Sequence, residues 1–158
     1  SVDEVKRAVY PNPEHIDVYS DVKPVADLIE ADILVRGCPV NGDYLARVLK
    51  SLVIGGSIPI EIYEVVCNEC KLRAIPCVAV VKKMPCLGPI TAAGCGALCP
   101  SFGRGCYGCY GVAEKQLSRE KILEFAKKLE DLGMPLEDFK SLLKAYSYKF
   151  YREVFGEQ

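Results

Sequence analysis

The sequence predicts an α/β segment that is followed by an irregular cysteine-rich domain and a terminal helical hairpin. A short apolar run with a helical pattern behind it predicts the α/β part, at residues 1–66. Eight crowded cysteines predict the irregular domain, at residues 67–111, and two amphipathic stripes predict the hairpin, at residues 112–158. The whole chain has 158 residues, which is enough for one domain's core but short for two full domains.

Two helical candidates open the α/β part. Val2 to Tyr10 carries Asp3 and Glu4 in its first turn and stops at Pro11. After a polar link, Val25 to Ile29 is a weaker helical candidate. Both precede the strand on which the α/β prediction depends.

That strand is predicted at Asp32 to Val35, an apolar run that ends at Gly37-Cys38-Pro39. Helical spacing resumes from Asp43 to Leu52, and Gly55-Gly56 ends the helix. Residues 57–66 are expected to be extended. A strand, a turn and a helix make half of a βαβ unit, and loops at the carboxyl ends of such strands carry the chemistry of α/β proteins. The cysteine at position 38 is therefore well placed for a functional role.

The terminal helices have clear boundaries. Ser118 is a good N-cap, Gly133 ends the first helix, and Pro135 opens the second. The apolar stripes are Ile122, Phe125, Ala126, Leu129 and Leu132 in the first helix, and Leu136, Phe139, Leu142, Leu143, Tyr146 and Phe150 in the second. Neither stripe carries a chemical motif, so the hairpin is predicted to serve packing or subunit contact.

Charge and patterning argue against several classes of function. A net charge of -1 gives no electrostatic reason to expect nucleic acid or an anionic membrane surface. Met84 to Gly103 is uncharged and long enough to span a bilayer, but its prolines and glycines favour tight turns over a lipid-facing helix. No secretory signal opens the sequence, which begins at Ser1, so we expect a cytoplasmic chain with its initiator removed, or a piece of a longer polypeptide.

The cysteines are the main feature to explain. Cys38 stands alone, and the other eight are Cys67, Cys70, Cys77, Cys86, Cys95, Cys99, Cys106 and Cys109. Eight clustered thiols suit two four-cysteine metal sites. The ninth needs further ligands that this sequence does not supply.

Three kinds of bonding compete for the eight clustered cysteines. Disulfides need an oxidising compartment. Zinc would accept Cys67-x-x-Cys70 and Cys106-x-x-Cys109, but the spacer between these pairs is long and holds four more cysteines. Two 4Fe-4S clusters explain more, because they use all eight thiolates, and nearby glycines let backbone amides approach the sulfides. Five cations against one acid in residues 67–111 also favour anionic cofactors.

Four motifs carry a specific resemblance. They are Cys86-Leu87-Gly88-Pro89-Ile90-Thr91, Ala93-Gly94-Cys95-Gly96-Ala97, Cys99-Pro100-Ser101-Phe102-Gly103 and Cys106-Tyr107-Gly108-Cys109. Together they closely resemble the carboxyl-terminal cluster region of nickel-iron hydrogenase small subunits, best in the cytoplasmic branch that includes the sulfhydrogenase delta subunits. The similarity runs from about residue 1 through the terminal helices.

This resemblance implies both a fold and a function. Residues 1–66 look like the second part of a flavodoxin-like α/β domain. The chain would be the electron-transfer subunit of a hydrogenase, an oxidoreductase that links the nickel-iron site of a large subunit to an external flavin- or ferredoxin-type partner. No residue here matches a nickel ligand, so the hydrogen chemistry is expected on a partner chain and no catalytic residue is assigned.

The resemblance also implies ligand sets. Cys38 matches the last ligand of the proximal 4Fe-4S cluster, the one nearest the nickel-iron site. The distal set is Cys67, Cys70, Cys77 and Cys86, and the medial set is Cys95, Cys99, Cys106 and Cys109. Spacing alone also allows a ferredoxin-style crossover in which Cys86 and Cys109 exchange.

Two departures from the family pattern matter. Ala92 stands where the family usually has arginine. No residue matches the family's amino-terminal Cys-x-x-Cys and one further cysteine, so the proximal cluster would need a missing amino-terminal half or a companion chain. Otherwise Cys38 is a buried inert cysteine. The alternative function is a two-cluster ferredoxin-like electron carrier that serves another redox enzyme.

Overall fold

The computed structural model describes residues 2–18, 25, 28–57, 65–113 and 117–156. It divides into two compact units, Ser1–Leu34 and Val35–Gln158. The first unit contains helix α1 (Val2–Val9) and a 3-10 turn (Pro13–His15). The second contains α2 (Gly42–Ile54), α3 (Val66–Leu72), α4 (Val78–Val81), α5 (Leu98–Ser101), α6 (Arg119–Asp131), α7 (Leu136–Tyr146) and α8 (Tyr148–Phe155).

The first unit confirms the opening helix. α1 has Asp3 and Glu4 in its first turn, where acidic side chains interact favourably with the positive end of the helix dipole. The weaker candidate at Val25 to Ile29 lies partly outside the described residues. Of those described, Leu28 and Ile29 donate backbone hydrogen bonds to the Val25 carbonyl, each at 3.0 Å, which makes a single turn.

The strand predicted at Asp32 to Val35 is wrong. These residues form no β-bridge with any other described residue. A strand is stable only beside a neighbour that accepts its backbone hydrogen bonds, and the described part of the chain supplies none here. The nearest bridge instead joins Gly37 to Val40 across the turn at Cys38. Most of the extended segment predicted at residues 57–66 lies outside the described residues, and the flavodoxin-like α/β class stays a prediction.

Helix α2 confirms the helical spacing predicted from Asp43 and the predicted end at Gly55, whereas its amino-terminal cap was not predicted. The Asn41 side chain accepts the backbone N–H of Tyr44 at 3.0 Å and so caps the amino terminus. Gly55 ends the helix in the left-handed conformation, at φ 67°. This helix directly follows the Cys38 turn.

The cysteine-rich domain has more regular structure than the sequence predicts. The short helices α3, α4 and α5 interrupt its turns. Each begins beside or at a cysteine, because α3 contains Cys67 and Cys70, Cys77 is the N-cap of α4, and Cys99 lies in α5. These helices therefore position four of the nine predicted ligands.

The predicted hairpin is a three-helix unit. α6 begins after the predicted cap Ser118 and α7 begins after Pro135, but the stripe expected to continue to Phe150 is broken at Ser147. Ser147 leaves the helical conformation, with φ -151° and ψ 52°, and its Oγ accepts the backbone N–H of Val112 at 2.8 Å. The break therefore serves a contact with the end of the cysteine-rich domain.

The cysteine-rich domain and the terminal helices share one hydrophobic core. Leu87 and Ile90, which follow Cys86, are 1% and 3% exposed and pack in the same cluster as Phe139, which is 0% exposed. The other buried members are Val112, Ile122, Ala126, Leu129, Leu143, Phe150, Tyr151 and Val154. The helices thus support one wall of the cysteine region. None of the helices that the structure describes is long and apolar enough to cross a membrane.

Candidate metal centre

Four cysteines gather around α3 and α4. Cys67 and Cys70 lie one turn apart on α3, Cys77 begins α4, and Cys86 is buried. A Cβ atom built on Gly88 would lie 3.4 Å from the Cys86 Sγ and 3.5 Å from the Cys67 Sγ, so both sulfurs lie against the Gly88 backbone. We call Cys67, Cys70, Cys77 and Cys86 the distal set.

The thiol pKa values of Cys67 and Cys70 also reflect how close the cysteines of the distal set lie to one another. Burial, and after it the neighbouring Cys86, Cys70 and Cys77, together raise the pKa of Cys67 to about 11, because like charges would repel. Burial also makes the largest contribution to the raised pKa of Cys70, followed by the charges of Cys86 and Cys77. Cys67 and Cys70 thus each lie close enough to the other three thiols to be affected by their charge.

The other predicted ligands line one cavity of about 300 Å³. They are Cys95, Cys99, Cys106 and Cys109, which we call the medial set, together with Cys38. Two aromatic residues, Tyr107 and Tyr110, also line this cavity. The structure therefore brings five of the nine cysteines to one cavity.

Burial also raises the pKa of three thiols in this cavity. It raises the pKa of Cys106 to about 12, against the opposing effect of a hydrogen bond with the Thr91 side chain. It raises the pKa of Cys109, against a hydrogen bond from the Cys38 backbone. It likewise raises the pKa of Cys95. Metal binding would have to remove these protons, since the thiolate is the ligand.

Thr91 is a supporting residue that the sequence analysis missed. It is 2% exposed, and its Oγ1 donates to the Leu87 carbonyl at 2.7 Å. The Cys106 Sγ lies 3.5 Å from the same oxygen. A threonine inside a cluster motif gives no sequence signal for this role, because the contact partner lies 15 positions further along the chain.

The backbone between the two sets is closely packed. The Cys106 N–H donates to the Cys86 Sγ at 3.2 Å, and the Leu87 N–H donates to the Cys106 carbonyl at 2.9 Å. Gly105 lies so close to the Pro85 carbonyl that no side chain fits between them. Glycine at position 105 is therefore needed to let these two segments meet.

The Cys38 turn is fastened against the medial set. Its Cys38-Pro39 peptide is cis, and Gly37 has φ 123°, where a Cβ would lie 2.7 Å from the Tyr110 ring. Arg36 donates to the Val112 carbonyl at 2.9 Å, and Asn41 donates to the Gly94 carbonyl at 3.4 Å. The Cys38 thiol is exposed on this turn and faces the cavity that Cys109 also lines.

The donor set fits iron-sulfur chemistry. Thiolates are soft ligands that suit iron-sulfur clusters, and the cavity, the glycine-lined backbone and the Cys106 amide that donates to the Cys86 sulfur suit an anionic sulfur-rich group. Among the residues that the structure describes, no three His, Cys, Asp or Glu side chains converge closely enough to share one ion. A 4Fe-4S cube makes a different demand, because each of its four thiolates binds its own iron.

Comparison with known proteins identifies the relatives. The delta subunit of sulfhydrogenase 2 from Pyrococcus furiosus is 42% identical over 108 residues, which cover 68% of this chain and 45% of that protein. This chain is related to hydrogenase iron-sulfur subunits. The iron-sulfur subunit of the F420-non-reducing hydrogenase from Archaeoglobus profundus is 34% identical, over 63% of this chain and 38% of that protein. No protein-family model matches the chain.

These relatives confirm the resemblance that the cysteine motifs carry, including the sulfhydrogenase delta branch. A third, a vhu subunit of the F420-non-reducing hydrogenase from Methanocaldococcus jannaschii, is 34% identical over 61% of this chain and 39% of its own length. The matched region spans less than half of each relative.

Proposed function

We propose that the chain carries electrons between the nickel-iron site of a hydrogenase large subunit and an external redox partner. The observation that carries this proposal is the shared cavity, in which Cys38 lies beside the four cysteines of the medial set. The relatives support it, because each is named as part of a hydrogenase, and one is named as its iron-sulfur subunit.

The proposal assigns one 4Fe-4S cube to each set of four cysteines. Such a cube supplies a one-electron carrier when it is bound. The distal set draws support from the mutual effects of its thiols on their pKa values. The medial set draws support from its cavity. The crossover alternative finds less support, since Cys86 lies beside Cys67, and Cys109 lies beside Cys99 and Cys38.

The residues of this chain would hold, shield and tune these cofactors. The Cys106 N–H reaches the Cys86 sulfur, and an amide hydrogen bond to a thiolate stabilises its negative charge. Leu87 and Ile90 exclude water from one side of the site. Both effects act on reduction potential, which depends on burial and on hydrogen bonds to sulfur.

Cys38 is proposed as one ligand of a third, proximal 4Fe-4S cluster. Its remaining ligands would come from a missing amino-terminal half or a companion chain, with residues 1–66 completing a flavodoxin-like domain. The proposed partners are the nickel-iron large subunit and a flavin- or ferredoxin-type electron-transfer subunit. The proposed location is the cytoplasm.

Anaerobic reconstitution with iron and sulfide tests the function. We expect about eight irons and about eight acid-labile sulfides per chain, from two cubes. Co-purification with a nickel-containing large subunit would support the hydrogenase role over the ferredoxin-like carrier. Two zinc ions and no sulfide would overturn the electron-transfer proposal altogether.

A further inference from the structure

Glu69 joins the two sets of cysteines. It lies on α3 between Cys67 and Cys70 of the distal set, yet its carboxylate contacts the loop that carries Cys95 of the medial set. Oε1 accepts the backbone N–H groups of Gly94 at 2.9 Å and Gly96 at 3.1 Å. Oε2 accepts the N–H of Ala97 at 3.0 Å and lies 3.7 Å from the Cys95 Sγ.

The backbone of this loop is shaped to bind an anion. Gly94, Gly96 and Ala97 all have positive φ, at 131°, 67° and 52°. Backbone turns can direct neighbouring N–H groups toward one point and so form a concave anion site, and here three such groups donate to one carboxylate. The Glu69 carboxylate occupies it. Since hydrogen bonds to an ionised acceptor are stronger than neutral ones, the carboxylate restrains the loop on both sides of Cys95.

Arg73 supplies the complementary contact from the same helix. Arg73 is the C-cap of α3, and its Nη1 donates to the Gly96 carbonyl, so the middle and the carboxyl end of this helix present an acceptor and a donor to the same loop. Glu69 is also the only acidic residue in the sequence between Cys67 and Gly111. Its negative charge thus lies next to Cys95 in a segment otherwise rich in cations.

We propose that Glu69 is a positioning residue that fixes Cys95 in the medial set and lowers the reduction potential of the medial cube. This inference rests on the proposed function. When Cys95 is a thiolate, the carboxylate and the thiolate are two negative charges in contact range. A neighbouring negative charge disfavours the more negative, reduced form of a cluster, so the potential falls.

Three variants test the proposal. Glu69→Ala removes the carboxylate, Glu69→Gln keeps its shape but removes its charge, and Glu124→Gln removes one charge from an exposed position on α6. The midpoint potentials of the reconstituted chains are measured by redox titration with electron paramagnetic resonance. The medial signal is assigned as the one that a Cys99→Ser variant loses.

We expect Glu69→Gln to retain about eight irons and to raise the medial midpoint potential more than the distal one. Glu69→Ala is expected to lose the medial cube and keep about four irons. Glu124→Gln should match the parent chain in both measurements. Unchanged potentials in Glu69→Gln together with full iron in Glu69→Ala would overturn the inference, as would loss of both cubes from both variants.

Hydrogen exchange of the metal-free chain separates this inference from the proposed function. The amides of Gly94, Gly96 and Ala97 should exchange faster in Glu69→Ala than in the parent chain or Glu124→Gln. Unchanged exchange would overturn the role of Glu69 even in a chain that binds two cubes. A parent chain that takes up no iron and sulfide would instead overturn the proposed function, and the medial potential role with it.

Discussion

The backbone N–H of Cys106 donates to the Sγ of Cys86 at 3.2 Å, which joins a residue of the medial set to a sulfur of the distal set. The two sets are therefore neighbours in a single packed unit. Their thiols also affect one another, since, in addition to burial, Cys86 raises the pKa of Cys106 and Cys95 raises that of Cys70. The proposed ligand sets remain separate, however, because each cube is assigned four cysteines of its own. A substitution in one set is consequently expected to affect the cofactor of that set first.

Serine replacement should remove one cube at a time. Cys99→Ser removes a ligand of the medial set, and Cys77→Ser removes one of the distal set. Serine oxygen is a poor substitute for the thiolates that hold iron-sulfur clusters, so each variant is expected to keep about four of about eight irons. Iron analysis and electron paramagnetic resonance should show loss of a different signal in each variant. Loss of the same signal in both would show that the grouping is wrong.

Gly105→Ala should separate the two cysteine segments. The added methyl group would meet the Pro85 carbonyl, and overpacking of this kind costs about 1–3 kcal/mol. Urea unfolding of the metal-free chain measures the loss. Gly42→Ala is the matched control, because nothing lies within 4 Å of the position of its Cβ. Equal unfolding midpoints for the two variants would contradict the close approach at Gly105.

Ser147→Ala should weaken the contact between the terminal helices and the cysteine-rich domain. Val112 is 2% exposed, and its N–H would lose its acceptor, which costs about 1–3 kcal/mol for a buried donor. Ser141→Ala is the control, because the Ser141 hydroxyl is exposed and bonds only within its own helix. Thermal or urea unfolding compares the two. A neutral Ser147→Ala would mean that water satisfies Val112 equally well.

Alkaline pH should destabilise the metal-free chain. The pKa values of Cys67 and Cys106 are raised by burial from 9.0 to about 11 and about 12. The unfolded chain therefore loses these protons near pH 9, while the folded chain keeps them. Between about pH 9 and pH 12 the unfolded state binds fewer protons, so the free energy of unfolding falls as pH rises. Below pH 9 both states are protonated, and these thiols add no slope.

Urea unfolding under reducing conditions, at several values between pH 8 and pH 11, measures this effect. Cys106→Ser is the informative comparison, since serine does not titrate in this range. Its stability should fall less steeply with pH than that of the parent chain. Parallel curves would show that Cys106 is not protonated in the folded state at high pH.

Local signals in the sequence predicted the helix ends well. The Ser118 cap of α6 and the end of α2 at Gly55 were both predicted, because each of these effects depends on residues only a few positions away. The Asn41 cap of α2 was not predicted. The strand at Asp32 to Val35 was not predictable in the same way. An apolar run becomes a strand only if another strand lies beside it, which its own residues do not specify.

Long-range contacts account for the other differences. The apolar stripe in the sequence continues past Ser147, but the helix is broken there. At this break the Ser147 hydroxyl accepts the backbone N–H of Val112, which lies 35 positions earlier. The residues around Glu69 do not indicate its proposed role, because that role depends on a loop that begins 25 positions later. The cysteine motifs predicted the relatives because cysteine spacing is a local feature of the sequence, whereas the contacts that support these cysteines are long-range.

Leu87 separates Cys86 from Gly88 and is buried at 1% exposure among the side chains of the terminal helices. Cys86 can move away from its neighbours only if Leu87 leaves that core. Opening the core in turn requires unfolding of the unit that contains it. The lifetime of any cofactor held there is consequently tied to the unfolding barrier, which is a property of kinetic stability. The terminal helices, which carry none of the predicted ligands, would thus determine how long the protein retains a bound cluster.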